Sequence, residues 1–78
     1  MEIKVLYFAV VRDLVGKDGE IIRFTGKTTQ DLRTLLENKY PQLKEILKVC
    51  RFAVNEEYYE GELKEGDRVA IIPPVSGG

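Results

Sequence analysis

The chain has 78 residues, 44% of them hydrophobic and 32% charged, with 12 basic and 13 acidic residues and a formal net charge of -1. This length allows one domain with a small core, and the evenly mixed charge supplies no field for nucleic acid or a membrane surface. There is no histidine and one cysteine, Cys50, which excludes Ser-His-Asp and Cys-His catalysis, histidine-ligated metals, iron–sulfur clusters and an internal disulfide.

Apolar residues alternate from the start. Ile3, Val5 and Tyr7 face one way, and Lys4, then Leu6 and Phe8, the other, which predicts a central strand over residues 2–9. Val10 to Val15 predicts a short helical turn closed by Gly16, with turn chemistry at Lys17-Asp18-Gly19. Glu20 to Phe24 is rich in β-branched and aromatic residues and predicts a second strand, paired with the first. Thr25-Gly26-Lys27 breaks it. Thr28 or Thr29 is then a helix N-cap, with Gln30 or Asp31 near the first turn. Leu32, Leu35, Leu36, Lys39 and Tyr40 have the spacing of one helical face. Pro41 ends this helix or opens a second short one, along which Leu43, Ile46 and Leu47 continue the stripe.

Phe52-Ala53-Val54 predicts a third strand, Asn55-Glu56-Glu57 a turn, and Tyr58-Tyr59 the start of a further short strand. Lys64-Glu65-Gly66-Asp67 reads as a tight turn. In the last strand, Val69 to Ile72, alternation puts Val69 and Ile71 on one face and Ala70 and Ile72 on the other. Pro73-Pro74 stops it. The order strand, strand, helix, strands predicts an α+β arrangement, a mixed sheet with one main helix across it, which is the order of the β-grasp fold. The long intervening chain lets the first and last strands pair in parallel.

The end of the chain, Pro73-Pro74-Val75-Ser76-Gly77-Gly78, is the most informative segment. The prolines predict an extended, semi-stiff stem, and the two glycines a thin tip able to enter a narrow channel. Segment 73–78 is expected to be a flexible tail. A carboxylate there is a poor electrophile until condensation with ATP gives an acyl adenylate, from which AMP leaves readily. A sulfur donor then gives a thiocarboxylate, whereas a lysine amine gives an isopeptide; the tail alone allows both. Taken alone, a terminal Gly-Gly favours a frayed end. The proline stem and the preceding strand favour function.

The opening Val5-Leu6-Tyr7-Phe8-Ala9-Val10-Val11-Arg12-Asp13-Leu14-Val15-Gly16 resembles the start of the small, sulfur-carrying subunit of molybdopterin synthase, a ubiquitin-like family. The ending from Gly66-Asp67-Arg68 to Gly77-Gly78 resembles its C-terminus, and Leu32 and Ala53-Val54-Asn55 also fall where that family has them. The resemblance implies that the Gly78 carboxylate is adenylated by a ubiquitin-activating-like adenylyltransferase and converted to a thiocarboxylate. The tail would then enter the large catalytic subunit of the synthase and give sulfur to cyclic pyranopterin monophosphate, making the dithiolene of molybdopterin. ATP would be used by the activating partner, with no cofactor bound to this chain, which would not be a catalyst alone. It also implies a partner-binding surface of Phe8, Arg12, Tyr58, Ile72 and the stem Pro73, Pro74, Val75 and Ser76. Ile72, where the family often has an aromatic residue, and Tyr58, where it has an aliphatic one, depart from it.

Each of these residues also has a structural reading. Phe8 fits core or contact, and Ile72 either face of the last strand. Tyr58 is by default a cover for the core edge, and Tyr59 structural. Arg12 is a solvated helix charge or a contact for an acidic group. Cys50, beside Val49 and Phe52, reads as a buried small hydrophobe rather than a sulfur relay. Glu56, Glu57, Glu60 and Glu62 read as a solvated turn, and Gly61 and Gly66 as turn glycines. There is no nucleotide-cradling motif and no basic stripe. No signal-peptide pattern is present, and the lone thiol points to a reducing cytoplasm.

Overall fold

The computed structural model describes residues 1–74. Strand β1 (Glu2–Tyr7) runs into helix α1 (Ala9–Val15) and returns as β2 (Gly19–Arg23). Helix α2 (Thr29–Lys39), a 3₁₀ turn (Pro41–Leu43) and the short helix α3 (Lys44–Leu47) follow, then β3 (Arg51–Val54), β4 (Glu57–Tyr58) and β5 (Arg68–Ile72). The sheet order is β2-β1-β5-β3-β4. β1 and β5 pair in parallel, from Lys4 opposite Arg68 to Tyr7 opposite Ile71, and the other neighbours are antiparallel. The mixed sheet with its main helix is the expected β-grasp arrangement.

The helices lie where local chemistry puts them. Thr28 caps α2 by accepting from the Asp31 N–H, while the Asp31 carboxylate accepts from the N–H groups of Thr28 and Lys27. Such a reciprocal cap stabilises a helix by about 1 kcal/mol. Gly16 ends α1 at φ +89°, the left-handed conformation that glycine adopts without strain. Pro41 sits at the first position of the 3₁₀ turn, where its missing N–H is no loss.

The core lies between the sheet and α2. Ile3, Val5, Tyr7, Phe52, Val69 and Ile71 meet Leu32, Leu36, Leu43 and Leu47, all at most 1% exposed. Burying each such side chain contributes about 1.5–3 kcal/mol. The first strand ends two residues earlier than the alternation predicts. Phe8 turns the chain as the N-cap of α1, and Ala9 follows at φ +51°. That turn throws Phe8 outward, 45% exposed, so its core reading is excluded.

Candidate functional site: the uncovered sheet face and the root of the tail

The strand registers align one row of small and apolar residues across the uncovered face of the sheet. Leu6 lies opposite Ala70, Ala70 opposite Ala53, and Ala53 opposite Tyr58. At the other end of the row Leu6 faces Gly19, where an added Cβ would come within 2.7 Å of the Val5 carbonyl oxygen and 3.1 Å of Leu6 Cδ2. The row therefore requires glycine there. Beside it, Leu6, Phe8, Ala53 and Ala70 line a shallow depression of about 240 Å³, with Arg68 and Glu56 at its rim.

Cations flank the row. Lys4 and Arg68 are register partners on one side. On the other, Arg51 is paired with Ile72 and lays its guanidinium 3.8 Å over the Tyr58 ring. An exposed cation–π contact of this kind contributes about 0.5–1 kcal/mol and holds the phenol flat. Tyr58 is 57% exposed. It does not cover the core edge, because the two-residue strand β4 is an edge that points it to the open face.

β5 delivers the tail root beside this surface. It is an inner strand, held by β1 on one side and β3 on the other, and it passes directly into Pro73 and Pro74. Ile72 and Pro73 are half-buried and Pro74 is exposed. The sites read at Val75, Ser76, Gly77 and Gly78 lie outside the described residues. Phe8, Tyr58 and Ile72 thus border one surface. Arg12 lies on α1, 3.9 Å from Asp18, with both side chains at least half exposed, so that pair is loose and contributes little.

The remaining candidates are structural. Cys50 is 5% exposed, and burial pushes its thiol pKa up against the opposing Arg33 charge, away from a reactive thiolate. Tyr59 donates to the Glu62 carbonyl at 2.9 Å. Glu60 accepts from the Thr29 hydroxyl at 3.0 Å and pairs with Arg33. Among the described residues no cluster of acidic or thiol side chains could hold a metal ion. No helix there is long and apolar enough to cross a membrane.

Sequence reasoning missed Leu6, Arg51, Ala53 and Ala70 as members of this face. The period-2 alternation that puts Ile3, Val5 and Tyr7, and Val69 and Ile71, inward contained the signal for Leu6 and Ala70. Register, which no single strand carries, was needed for the others.

Comparison with known proteins agrees with this geometry. Residues 5–78 match the ThiS family. A Chlamydomonas reinhardtii molybdopterin synthase sulfur carrier subunit is 43% identical over 100% of both chains. A Pyrococcus furiosus structure described as molybdopterin converting factor subunit 1 superposes with a TM-score of 0.86 at 34% identity, covering 96% of this chain and 99% of that one. A Helicobacter pylori chain, solved in a complex of subunits 1 and 2 of molybdopterin-converting factor, gives a TM-score of 0.73 at 30% identity with 100% of both covered. The chain belongs to the ThiS family, with molybdopterin synthase sulfur carrier subunits among its full-length relatives.

Proposed function

We propose that this chain is the sulfur carrier subunit of a molybdopterin synthase and that the Gly78 carboxylate is its working group. The observation that carries the reading is the exit of an inner strand into Pro73-Pro74 beside a partly exposed row of small and apolar residues on the uncovered sheet face, in a chain whose full-length relatives are sulfur carriers. The row of Leu6, Ala70, Ala53 and Tyr58, with Phe8 and Ile72 at its border, docks the body against the large catalytic subunit. Pro73 to Ser76 form the stem that carries the glycine tip into the partner's site.

The chemistry needs two partners. An adenylyltransferase of the ubiquitin-activating type joins the carboxylate to the α-phosphate of ATP, releasing pyrophosphate. Sulfur at the sulfide level then attacks the acyl carbon, the C–S bond forms, and AMP leaves. In the large subunit the thiocarboxylate gives its sulfur to cyclic pyranopterin monophosphate, and water returns the carboxylate. The chain itself supplies reach and docking, holds no cofactor of its own, and works in a reducing cytoplasm, consistent with its single free thiol, Cys50.

The test is mass spectrometry of the C-terminal peptide after incubation with the activating enzyme, ATP and a sulfur donor. Cleavage after Arg68 isolates Val69 to Gly78, which contains neither methionine nor cysteine, so oxidation cannot imitate replacement of oxygen by sulfur. Sulfur on that peptide is the expected result. An unmodified peptide, with the enzyme active on a control carrier, would overturn the reading. One residue added after Gly78 should abolish loading.

A further inference from the structure

The two edges of the sheet are unlike. β4 has two residues, whereas β2 has five and contains no proline. Met1 and Phe24 exchange both backbone hydrogen bonds, and the Tyr7 N–H donates to Asp18. Antiparallel pairing alternates bonded and non-bonded pairs, so Ile3·Ile22 and Val5·Glu20 bond inward. The N–H and C=O groups of Gly19, Ile21 and Arg23 therefore point away from the sheet. Among the described residues no hydrogen bond outside the sheet takes them. Ile21 is 58% exposed on this edge. An open edge of this kind is a template for another strand.

A groove of about 910 Å³ runs along the same edge between β2 and α2, with Thr34, Leu35, Asn38 and Lys39 on its helical wall. Asp31 is its one lining carboxylate, and it is already engaged by the N–H groups of Lys27 and Thr28. Arg23 and Lys39 are its lining cations; Lys39 is held 3.4 Å from Glu20, whereas Arg23, its side chain 85% exposed, pairs only loosely with Glu2 at 3.7 Å. The accessible charge at the rim of the groove is therefore that of Arg23.

We propose that the β2 edge and this groove dock an extended peptide segment of another protein, with apolar side chains at alternate positions and a carboxylate flank. The added strand pairs with the outward groups of Gly19, Ile21 and Arg23. Its side chains on one face lie beside Ile21, those on the other fill the groove against Leu35, and its acidic end meets Arg23. This is strand addition, in which main-chain bonds give affinity and alternate side chains give specificity. A second copy of this chain fits less well. Pairing about Ile21 would satisfy the same groups, but its groove-facing residues would be Glu20 and Ile22. These are held in their own interior, the Glu20 side chain 13% and Ile22 5% exposed, and would leave the groove unfilled. The site is separate from the row of Leu6, Ala70, Ala53 and Tyr58, so it does not rest on the sulfur-carrier reading.

The probe is a capped peptide alternating isoleucine with threonine and ending in two aspartates, titrated into the full chain and read by NMR amide shifts and hydrogen exchange. The expected result is protection of the Ile21 and Arg23 N–H groups, with shifts at Leu35 and Asn38. Ile21→Pro removes an outward donor without touching a bond to β1 and should weaken binding about tenfold, the effect of one hydrogen bond at the strong end of its net range. Arg23→Glu, at an exposed position whose like-charge contact with Glu2 costs stability but leaves the core untouched, should weaken this peptide and favour one ending in two lysines. Three results would overturn the proposal. One is no shift along Gly19 to Arg23 at about millimolar peptide. Another is equal binding by folded Arg23→Glu. The third is protection that rises with protein concentration in the absence of peptide, which would assign the edge to a second copy.

Discussion

The Tyr40 hydroxyl, at the end of α2, donates at 2.6 Å to the carboxylate of Glu20 on β2, and ties the main helix to the sheet. Tyr7 donates to the same oxygen at 2.6 Å from the neighbouring strand, with its ring edge-on to that of Tyr40. Lys39 and Lys17 approach the other oxygen at 3.4 and 3.5 Å. Burial raises the Glu20 pKa, but the bonds from Tyr40 and Tyr7 and the Lys39 charge outweigh it and hold it at about 2.

Acid stability follows with a definite sign. Because the folded-state value lies below the ordinary 4.5, the stabilisation is present above about pH 4.5 and is lost as pH falls toward about 2. The loss is about 3 kcal/mol at most. Glu20→Gln should lower stability at neutral pH by about 1–3 kcal/mol and flatten the curve across that window. Urea unfolding of both proteins over the range measures this, and parallel curves would sink it.

The phenols predict the alkaline limb. Burial, then the hydrogen bond to Glu20, pushes Tyr40 up to about 12 and raises Tyr7 as well. Their contribution is complete below the ordinary value of 10.0 and is lost as pH rises through about 12. Phenolate absorbance should show the Tyr7 and Tyr40 signal appearing only together with unfolding. Ionisation of Tyr7 and Tyr40 in the still-folded chain near pH 10.0 would contradict this.

The backbone at Ala9 is a second test. Its φ of +51° is left-handed, at about 1–2 kcal/mol for a residue with a Cβ. Ala9→Gly relieves that strain and adds about 0.5–1 kcal/mol of chain entropy to be lost, so stability should change by less than about 1 kcal/mol. Ala9→Val should cost at least about 1–2 kcal/mol, since β-branching forbids this region most strongly. Denaturant midpoints separate the two. Equal stability of Val and Gly variants would mean that Ala9 leaves the left-handed region.

The uncovered face makes a prediction about binding rather than folding. Phe8→Asp and Tyr58→Asp alter exposed side chains; the first should leave stability within about 0.5 kcal/mol, and the second should cost up to about 1 kcal/mol through the lost contact with Arg51. Each should weaken association with the large synthase subunit at least about tenfold if it removes a central contact. Calorimetric titration against that subunit reads the effect. Unchanged affinity in both variants would place the interface elsewhere.

Cys50→Ala separates a structural thiol from a relay. It should lower stability by about 1 kcal/mol, from lost packing. Sulfur should still appear on the Val69–Gly78 peptide at the wild-type rate. A folded variant that no longer loads sulfur would reverse this assignment.

What was legible in the sequence was local in origin. The three-and-four spacing of Leu32 and Leu36 and the Thr28–Asp31 cap are short-range signals, and they located α2. The alternation of Ile3, Val5 and Tyr7, and of Val69 and Ile71, likewise showed the inner face. The core-edge default for Tyr58 failed because a two-residue edge strand is too short for any period to show. Phe8 stayed ambiguous because its direction is set by the left-handed turn at Ala9, a backbone state that an alanine does not announce. The Glu20 shield escaped notice because its partners come from β1 and from the end of α2, 13 and 20 residues away. At the tail, Gly77 and Gly78 stood out by chemistry alone.

The parallel pairing of β5 with β1 has a mechanical consequence. A tail withdrawn from a tight channel pulls on Ile72 along the strand axis, while the rest of the body stays docked. Hydrogen bonds to β1 on one side and β3 on the other lie across that pull and resist it together as shear. At an edge strand, one ladder would resist alone. If the tail works as proposed, this pairing lets the body be drawn back with its sheet intact, and forced-extension measurements through the C-terminus should meet high resistance before the fold gives way.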